Sequence, residues 1–192
     1  MKYTKIESKL KKVLSEKRYE HTLGVSFTCA SLAMKYGEDV DKARLAGLLH
    51  DCAKYLEDEK LISLSEKYKL GVSDNERRSP YLLHGKVGAL IARKKFDVED
   101  EDILNAITYH TTGRVNMSSL EKIVFIADYI EPQRDEAPNL DSLRKLAFED
   151  IDLCVLKVLE DTIAYLKENG REVDPHAVEA YDYYMKEKII NV

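Results

Sequence analysis

The sequence predicts an all-α fold of about ten helices, built as a single domain over residues 1–192, and three observations carry that expectation. Apolar residues recur with a period close to 3.6 almost everywhere. Eight glycines and four prolines in 192 residues are too few for a turn-rich all-β chain. No segment reads as a convincing strand, and no repeat or low-complexity stretch interrupts the pattern. The 44% of hydrophobic residues suffices for a sizeable core, and 34% charged residues fit a soluble rather than a disordered chain.

The elements follow in order. Ile6, Leu10, Val13 and Leu14 form the apolar stripe of a first helix. Val25, Cys29, Leu32 and Tyr36 mark a second, which Gly37 ends where a left-handed cap is wanted. A third is expected from about Val40 to Lys54 and a fourth from Leu61 to Tyr68, with Gly71 to Pro80 a polar loop. Val87, Leu90 and Ile91 place a fifth between Tyr81 and Phe96. Ile103, Ala106, Ile107 and His110 share one face of a sixth. Ser118 and Glu121 make a capping box that opens the seventh, closed soon after by Pro132. Two more helices fill Leu140 to Asn169, and Asp174-Pro175 opens the last as cap and first residue.

Composition excludes several classes. Thirty Lys and Arg against 35 Asp and Glu give a net charge of −5 with histidine neutral, which argues against a nucleic-acid binder that works by counterion release. A phosphate substrate remains admissible if a metal or a few placed cations supply local positive charge. The first twenty residues contain no apolar signal-like core, and the densest apolar run, Ile123 to Ala127, is far too short to span a membrane. Cys29, Cys52 and Cys154 are odd in number, scattered and set in helical patterns, so reduced buried thiols are expected. These features together point to a cytoplasmic location without membrane attachment.

Four of the five histidines fall where exposure is not expected. His21 lies on the apolar stripe that carries Val25 and Cys29. His50 follows an apolar run and is followed by Asp51, His84 precedes Val87 and Ile91, and His110 ends an inner face. Asp128 comes one turn after Val124. Any one of these histidines alone is most simply a hydrogen-bonded core residue. The carboxylates are different, because an ionised carboxylate buried without a partner costs several kcal/mol. The same helices offer few cations: Lys54 and Arg44 are near Asp51 in sequence, and nothing basic is near Asp128. A metal site satisfies both carboxylates and four imidazoles together, and six mixed ligands exceed the four of a structural zinc, which suits two metals sharing a carboxylate.

At this point the residues carry a resemblance. His21, then His50-Asp51, then Asp128 resembles the H…HD…D signature of the HD-domain metal-dependent phosphohydrolases, and the added His84 and His110 resemble its binuclear members. The strings HDCAK (50–54), HGKVGA (84–89), HTTGR (110–114) and ADYIEPQR (127–134) are similar to the YqeK family, the bacterial symmetrical diadenosine tetraphosphate hydrolases. The resemblance implies an HD-type helical bundle with a metal core over about 18–134, completed by C-terminal helices over 140–190. It implies a binuclear centre, with His21, His50, Asp51 and Asp128 on one metal, His84 and His110 on the other, and Asp51 bridging. Iron is the metal of that family, while such a donor set also accepts Mn, Co, Zn or Ni. The implied partner is a small-molecule dinucleoside polyphosphate, cleaved to ADP, with a homodimer left open.

Two divalent ions lower the pKa of a water towards neutrality and clamp phosphoryl oxygens, so in-line attack needs positioning rather than a protein nucleophile. Neither a G-x-S-x-G elbow nor a Cys-His pair is present to suggest one. Phosphate donors are sought in Lys54, expected on the same helix face as His50, and in Arg134 after the Pro132 break. Further candidates are Arg18, one turn before His21, and Arg114 with the Thr111-Thr112-Gly113 turn. Asp51, Lys54 and Arg134 are thus the expected catalytic residues. The segment from Gly170 through Pro175 to His176 is where the family holds a nucleoside, with looser residue identities. Lysines on such helices, a Thr-Thr-Gly helix end, and Tyr181, Tyr183 and Tyr184 all have ordinary surface or packing roles as alternatives. Rival readings are an HD-type phosphohydrolase of dNTPs or a guanosine alarmone, and a nucleotide sensor without turnover.

Overall fold

The computed structural model describes residues 3–135, 137 and 139–190. Among them are eleven α-helices, one 3₁₀ turn and no strand, so the chain is all-α. The helices are α1 (Tyr3–Leu10), α2 (Glu16–Tyr36), α3 (Val40–Leu49), α4 (Asp58–Lys67) and α5 (Asp74–Arg78). The 3₁₀ turn Pro80–Leu83 then leads into α6 (His84–Phe96), α7 (Glu101–Tyr109) and α8 (Ser119–Ile130). Last come α9 (Leu140–Leu146), α10 (Ile151–Glu168) and α11 (Pro175–Ile190).

Local chemistry sets most boundaries. Ser15 caps α2 by accepting from the Arg18 amide, and Gly37 ends the same helix at φ 72°, a conformation that costs a residue with a Cβ. Ser118 and Glu121 form the expected capping box on α8. Asp174 accepts the His176 amide at 2.9 Å at the start of α11.

Two expected boundaries need correction. The third helix stops at Leu49 rather than Lys54, and residues 50–56 form a series of turns in which each amide reaches back only three residues (Cys52 to Leu49, Lys54 to Asp51, Leu56 to Ala53). A reason lies in His50, whose Nδ1 takes Gly47 O at 2.7 Å, the acceptor that a continuing helix would offer to the Asp51 amide. Second, the polar loop expected over 71–80 contains α5, opened by a capping box between Ser73 and Glu76. Its only buried residues are Asn75 and Glu76, so no apolar period announces it.

α2 packs on α3 and α8, α7 on α3, α6 and α8, and α10 on α8, α9 and α11. α2 and α3 approach closely at Gly47, where a Cβ would sit 2.8 Å from Cys29 Sγ and 3.0 Å from Ser26 Cα. The α2–α3 pair can therefore come near enough to bring His21 and His50 together. Leu48, Leu49, Ile107, Ile123, Val124 and Ile126 are at most 1% exposed and form the apolar bed beneath these helices. Burial of an aliphatic side chain of this kind contributes roughly 1.5–3 kcal/mol each. The three cysteines are buried and free, as expected. No helix among the described residues is long and apolar enough to cross a membrane.

Candidate metal centre

His21 comes from the second turn of α2, His50 and Asp51 from just past the end of α3, His84 from the start of α6, His110 from the cap of α7 and Asp128 from the last turn of α8. The fold brings all six together. Their rings form a chain, His21–His50–His110–His84, with successive centroids 5.4, 5.0 and 4.9 Å apart and each pair edge to face. The four histidines and Asp51 are buried, whereas the Asp128 side chain keeps 21% of its exposure and lies at the mouth of the cluster.

Each imidazole is oriented by its Nδ1. His50, His84 and His110 reach Gly47 O, Tyr81 O and Ile107 O at 2.7, 2.5 and 2.7 Å, and a carbonyl can only accept, so each Nδ1 carries the proton. The four Nε2 atoms then turn inward. His84 Nε2 and His110 Nε2 lie 3.0 Å apart, and His21 Nε2 and His50 Nε2 are buried without a hydrogen bond. Asp51 stands between the two ends: Oδ1 is 3.3 Å from His84 Nε2 and 3.6 Å from His110 Nε2, while Oδ2 is 3.5 Å from His50 Nε2. Asp128 Oδ1 is 3.0 Å from His21 Nε2 and 3.8 Å from His50 Nε2.

Electrostatics agree with that arrangement. Burial alone would raise the Asp51 carboxyl, but His50, His110 and His84 hold it well below the usual carboxylate range. Burial likewise opposes ionisation of Asp128, and His21 with His50 and His110 overcomes it and lowers the carboxyl. Burial pulls the His84 imidazole down to about 4, so it is neutral at pH 7. Burial also works against charge on His21, yet Asp128 and Glu131 outweigh it and raise its pKa; charges that favour a proton on Nε2 also favour a metal cation there.

Inward imidazole Nε2 atoms with two ionised carboxylates among them are a donor set for a divalent metal. Ligand atoms fall within 4.8 Å of one another in three groups: His21, His50 and Asp51; Asp51, His84 and His110; and His50, His110 and Asp128. Asp51, His50 and His110 each belong to two of these groups, and Asp51 is the one carboxylate among them. The residues present therefore fit divalent metal binding.

Around the cluster stand three cations. Arg18 donates to Asp51 Oδ2 at 2.8 Å, Lys54 Nζ lies 3.3 Å from His84 Nε2, and Arg134 donates to Asp128 Oδ1 and O at 3.2 Å. The expectation that nothing basic lies near Asp128 is thus corrected. Of the two cations expected near Asp51, Lys54 stands at the cluster, whereas Arg44 faces Glu7 at 3.8 Å and the Tyr3 ring and Arg18 from α2 makes the ion pair. Lys54 arrives from a turn, not from a helix face shared with His50. Thr111 Oγ1 joins the cluster, 3.1 Å from His110 Nε2 and 3.3 Å from His84 Nε2.

Other expected residues stand elsewhere. Arg114 is committed to Glu121 through two donated bonds of 2.6 and 2.9 Å, and stacks on Tyr109. Gly113, at φ 64°, packs against Met117 and Phe125. None of the cluster's hydrogen bonds or ion pairs among the described residues runs to Gly170 or Pro175; Gly170 follows α10 at φ 63° and Pro175 opens α11. The residue not singled out from the sequence is Glu131. Its carboxylate is 1% exposed and accepts from His21 Nδ1 at 3.1 Å. Its place between Ile130 and Pro132, just past a helix end, gave no sign of burial.

Comparison with known proteins follows the same residues. The family model for the HD domain matches residues 18–133, a span that holds all six cluster residues and Glu131. Over 91% of this chain and 92% of its own length, a protein of Halalkalibacterium halodurans named "Bis(5'-nucleosyl)-tetraphosphatase, symmetrical" is 40% identical. Its counterpart in Bacillus subtilis, with the same name, is 39% identical over 91% of this chain and 92% of its own. A Clostridium acetobutylicum crystal structure described as a predicted HD superfamily hydrolase involved in NAD metabolism superposes with a TM-score of 0.94. It has 45% identity and covers 97% of this chain and 98% of that one.

Proposed function

Since the chain belongs to the HD domain family, and within it resembles the symmetrical bis(5'-nucleosyl)-tetraphosphatases over nearly its whole length, we propose that it hydrolyses diadenosine tetraphosphate symmetrically to two ADP. The observation that carries the chemistry is the convergence of four inward imidazoles and two carboxylates on one cluster ringed by Arg18, Lys54 and Arg134.

His21, His50, Asp51 and Asp128 would hold one divalent ion and His84 with His110 a second, with Asp51 between them. Two such ions, with iron first among Fe, Mn, Co, Zn and Ni, supply a water reactive at neutral pH and positive charge against phosphoryl oxygens. The remaining work falls to the chain's own side chains. Arg18 and Arg134 are 37% and 41% exposed and each is paired with a carboxylate of the cluster. An incoming polyphosphate competes with Asp51 and Asp128 for these guanidinium groups, whose planar forks match phosphate oxygens. Lys54 adds a third cation beside His84, and the Thr111 hydroxyl offers a donor at the same end. Three cations round one cluster can hold phosphates on both sides of the one attacked, which orients the bond for in-line displacement. With ADP as leaving group, cleavage falls at the middle of the four-phosphate bridge.

Chromatography of the products from metal-loaded protein and diadenosine tetraphosphate tests this reading. ADP as the sole product supports it. AMP with ATP, or no turnover of this substrate alongside release of triphosphate or pyrophosphate from mononucleotides, overturns it.

A further inference from the structure

Three of the four cluster histidines solve the same local problem in the same way. His50 and His110 each end a helix, where carbonyls of the last turn lack an amide partner, and His84 stands where the 3₁₀ turn meets α6; each reaches the carbonyl three residues before it with Nδ1. His21 cannot do so. It lies five residues inside α2, where carbonyls of the preceding turn are already engaged: Arg18 O accepts Thr22 Oγ1 at 2.9 Å, and Ser15 O accepts the Tyr19 amide at 2.8 Å. Its orienting partner must come from another element.

That partner is Glu131, just past the end of α8. Its carboxylate is held on both sides: Oε1 accepts from His21 Nδ1 at 3.1 Å and Oε2 accepts the Gln133 amide at 2.8 Å. Its own amide closes α8 on Ala127 O at 3.1 Å. Arg144 fixes the same turn from α9, donating to Ile130 O, Glu131 O and Arg134 O at 3.0, 3.1 and 2.8 Å. The receiving face of α2 is shaped for the carboxylate. Gly24, one turn after His21, is the position where a Cβ would collide with Glu131 Oε2 and stand 3.1 Å from its Cδ. Glu131 is 1% exposed and makes no ion pair with Lys or Arg among those observed, so a buried carboxylate is spent on orienting one imidazole where a neutral carbonyl serves the other three.

We infer that Glu131 is a positioning residue that fixes His21 as an Nε2 donor and, by its charge, strengthens metal binding at the Asp128 end of the cluster, with Gly24 as the gap that admits it. The inference rests on the metal-binding reading of the cluster. An orienting carboxylate behind a ligating histidine is typically worth 10–100-fold in metal affinity.

The test is Mn²⁺ titration of metal-free protein by calorimetry, comparing wild type with Glu131→Gln and Gly24→Ala. Glu131→Gln is isosteric and can still accept from Nδ1, so it removes charge while keeping the contact. Gly24→Ala keeps the carboxylate in the chain but pushes it off α2. The expected result is roughly 10–100-fold weaker Mn²⁺ binding in both variants, with the melting temperature of the isosteric Glu131→Gln close to that of wild type when both are metal-free. Affinities equal to wild type in both overturn the positioning role while leaving the metal site intact. A wild type that takes up no Mn²⁺ overturns the metal-binding reading and this inference with it. Weaker binding in Glu131→Gln matched by an equal loss of its metal-free stability overturns it too, since a purely structural role moves both.

Discussion

His84 Nε2 and His110 Nε2 face one another at 3.0 Å, while each imidazole donates its Nδ1–H to a backbone carbonyl. Protein donors are in reach of both nitrogens, the Thr111 hydroxyl 3.1 Å from His110 Nε2 and Lys54 Nζ 3.3 Å from His84 Nε2. Asp51 Oδ1, 3.3 and 3.6 Å away, brings a carboxylate oxygen to the same point. Two imidazole nitrogens and a carboxylate oxygen within ligand reach of one another fit a divalent cation.

Asp51→Ala should abolish turnover and strip metal, since it removes the carboxylate common to two of the three ligand groups. Elemental analysis of wild type purified without chelator should find about two transition-metal ions per chain by the six-ligand count, and the variant fewer than one. Near-native activity in the variant would show that Asp51 is no ligand.

Arg134→Ala should leave the metal in place and weaken catalysis. Its guanidinium is half exposed on Asp128, so its proposed work is on phosphate and not on the fold. One charge-assisted contact contributes roughly 1.5–3 kcal/mol, or on the order of 10- to 150-fold in kcat/KM. Steady-state kinetics with parallel metal analysis reads both; unchanged kinetics with full metal returns Arg134 to an ion pair with Asp128 alone.

The helices that carry the cluster were legible because their apolar periods are strong, and His50 and His110 stand where those periods end. The third helix was drawn too long because Ala53 and Lys54 continue the pattern while His50, by taking Gly47 O, ends it. α5 has no apolar period because its buried residues are Asn75, which donates to Asp174, and Glu76, which accepts from Ser73 and Lys86. Arg18 was found as a candidate, but its pairing with Asp51 across 33 residues has no local sign. Glu131 was hidden for the same reason: its burial depends on Gly24, 107 positions earlier.

Glu76 offers a pH test away from the cluster. Burial would raise its carboxyl, but Lys86 Nζ at 2.7 Å and the Ser73 amide at 2.8 Å outweigh it and lower the pKa. A carboxyl depressed in the folded state contributes stability above its unfolded pKa, near 4.3, and loses it as pH falls through the folded value. Glu76→Gln should therefore cost about 1.5 kcal/mol at pH 7, or roughly 3–6 °C in Tm for a chain of this size. The gap should close below about pH 4. Thermal melts of both proteins across pH 3–7 check this; a gap that stays constant would mean that the Glu76 charge is not what matters.

The most direct test of the central claim is the position of bond cleavage, read by mass spectrometry after reaction of metal-loaded protein with diadenosine tetraphosphate in ¹⁸O-water. If the attacked phosphorus is held at the Asp51 cluster and its neighbours by Arg18, Lys54 and Arg134, as proposed, the leaving group is ADP. The account predicts ADP as the sole nucleotide product, with one ¹⁸O atom in half of it. Labelled AMP or ATP would contradict symmetrical cleavage at this centre.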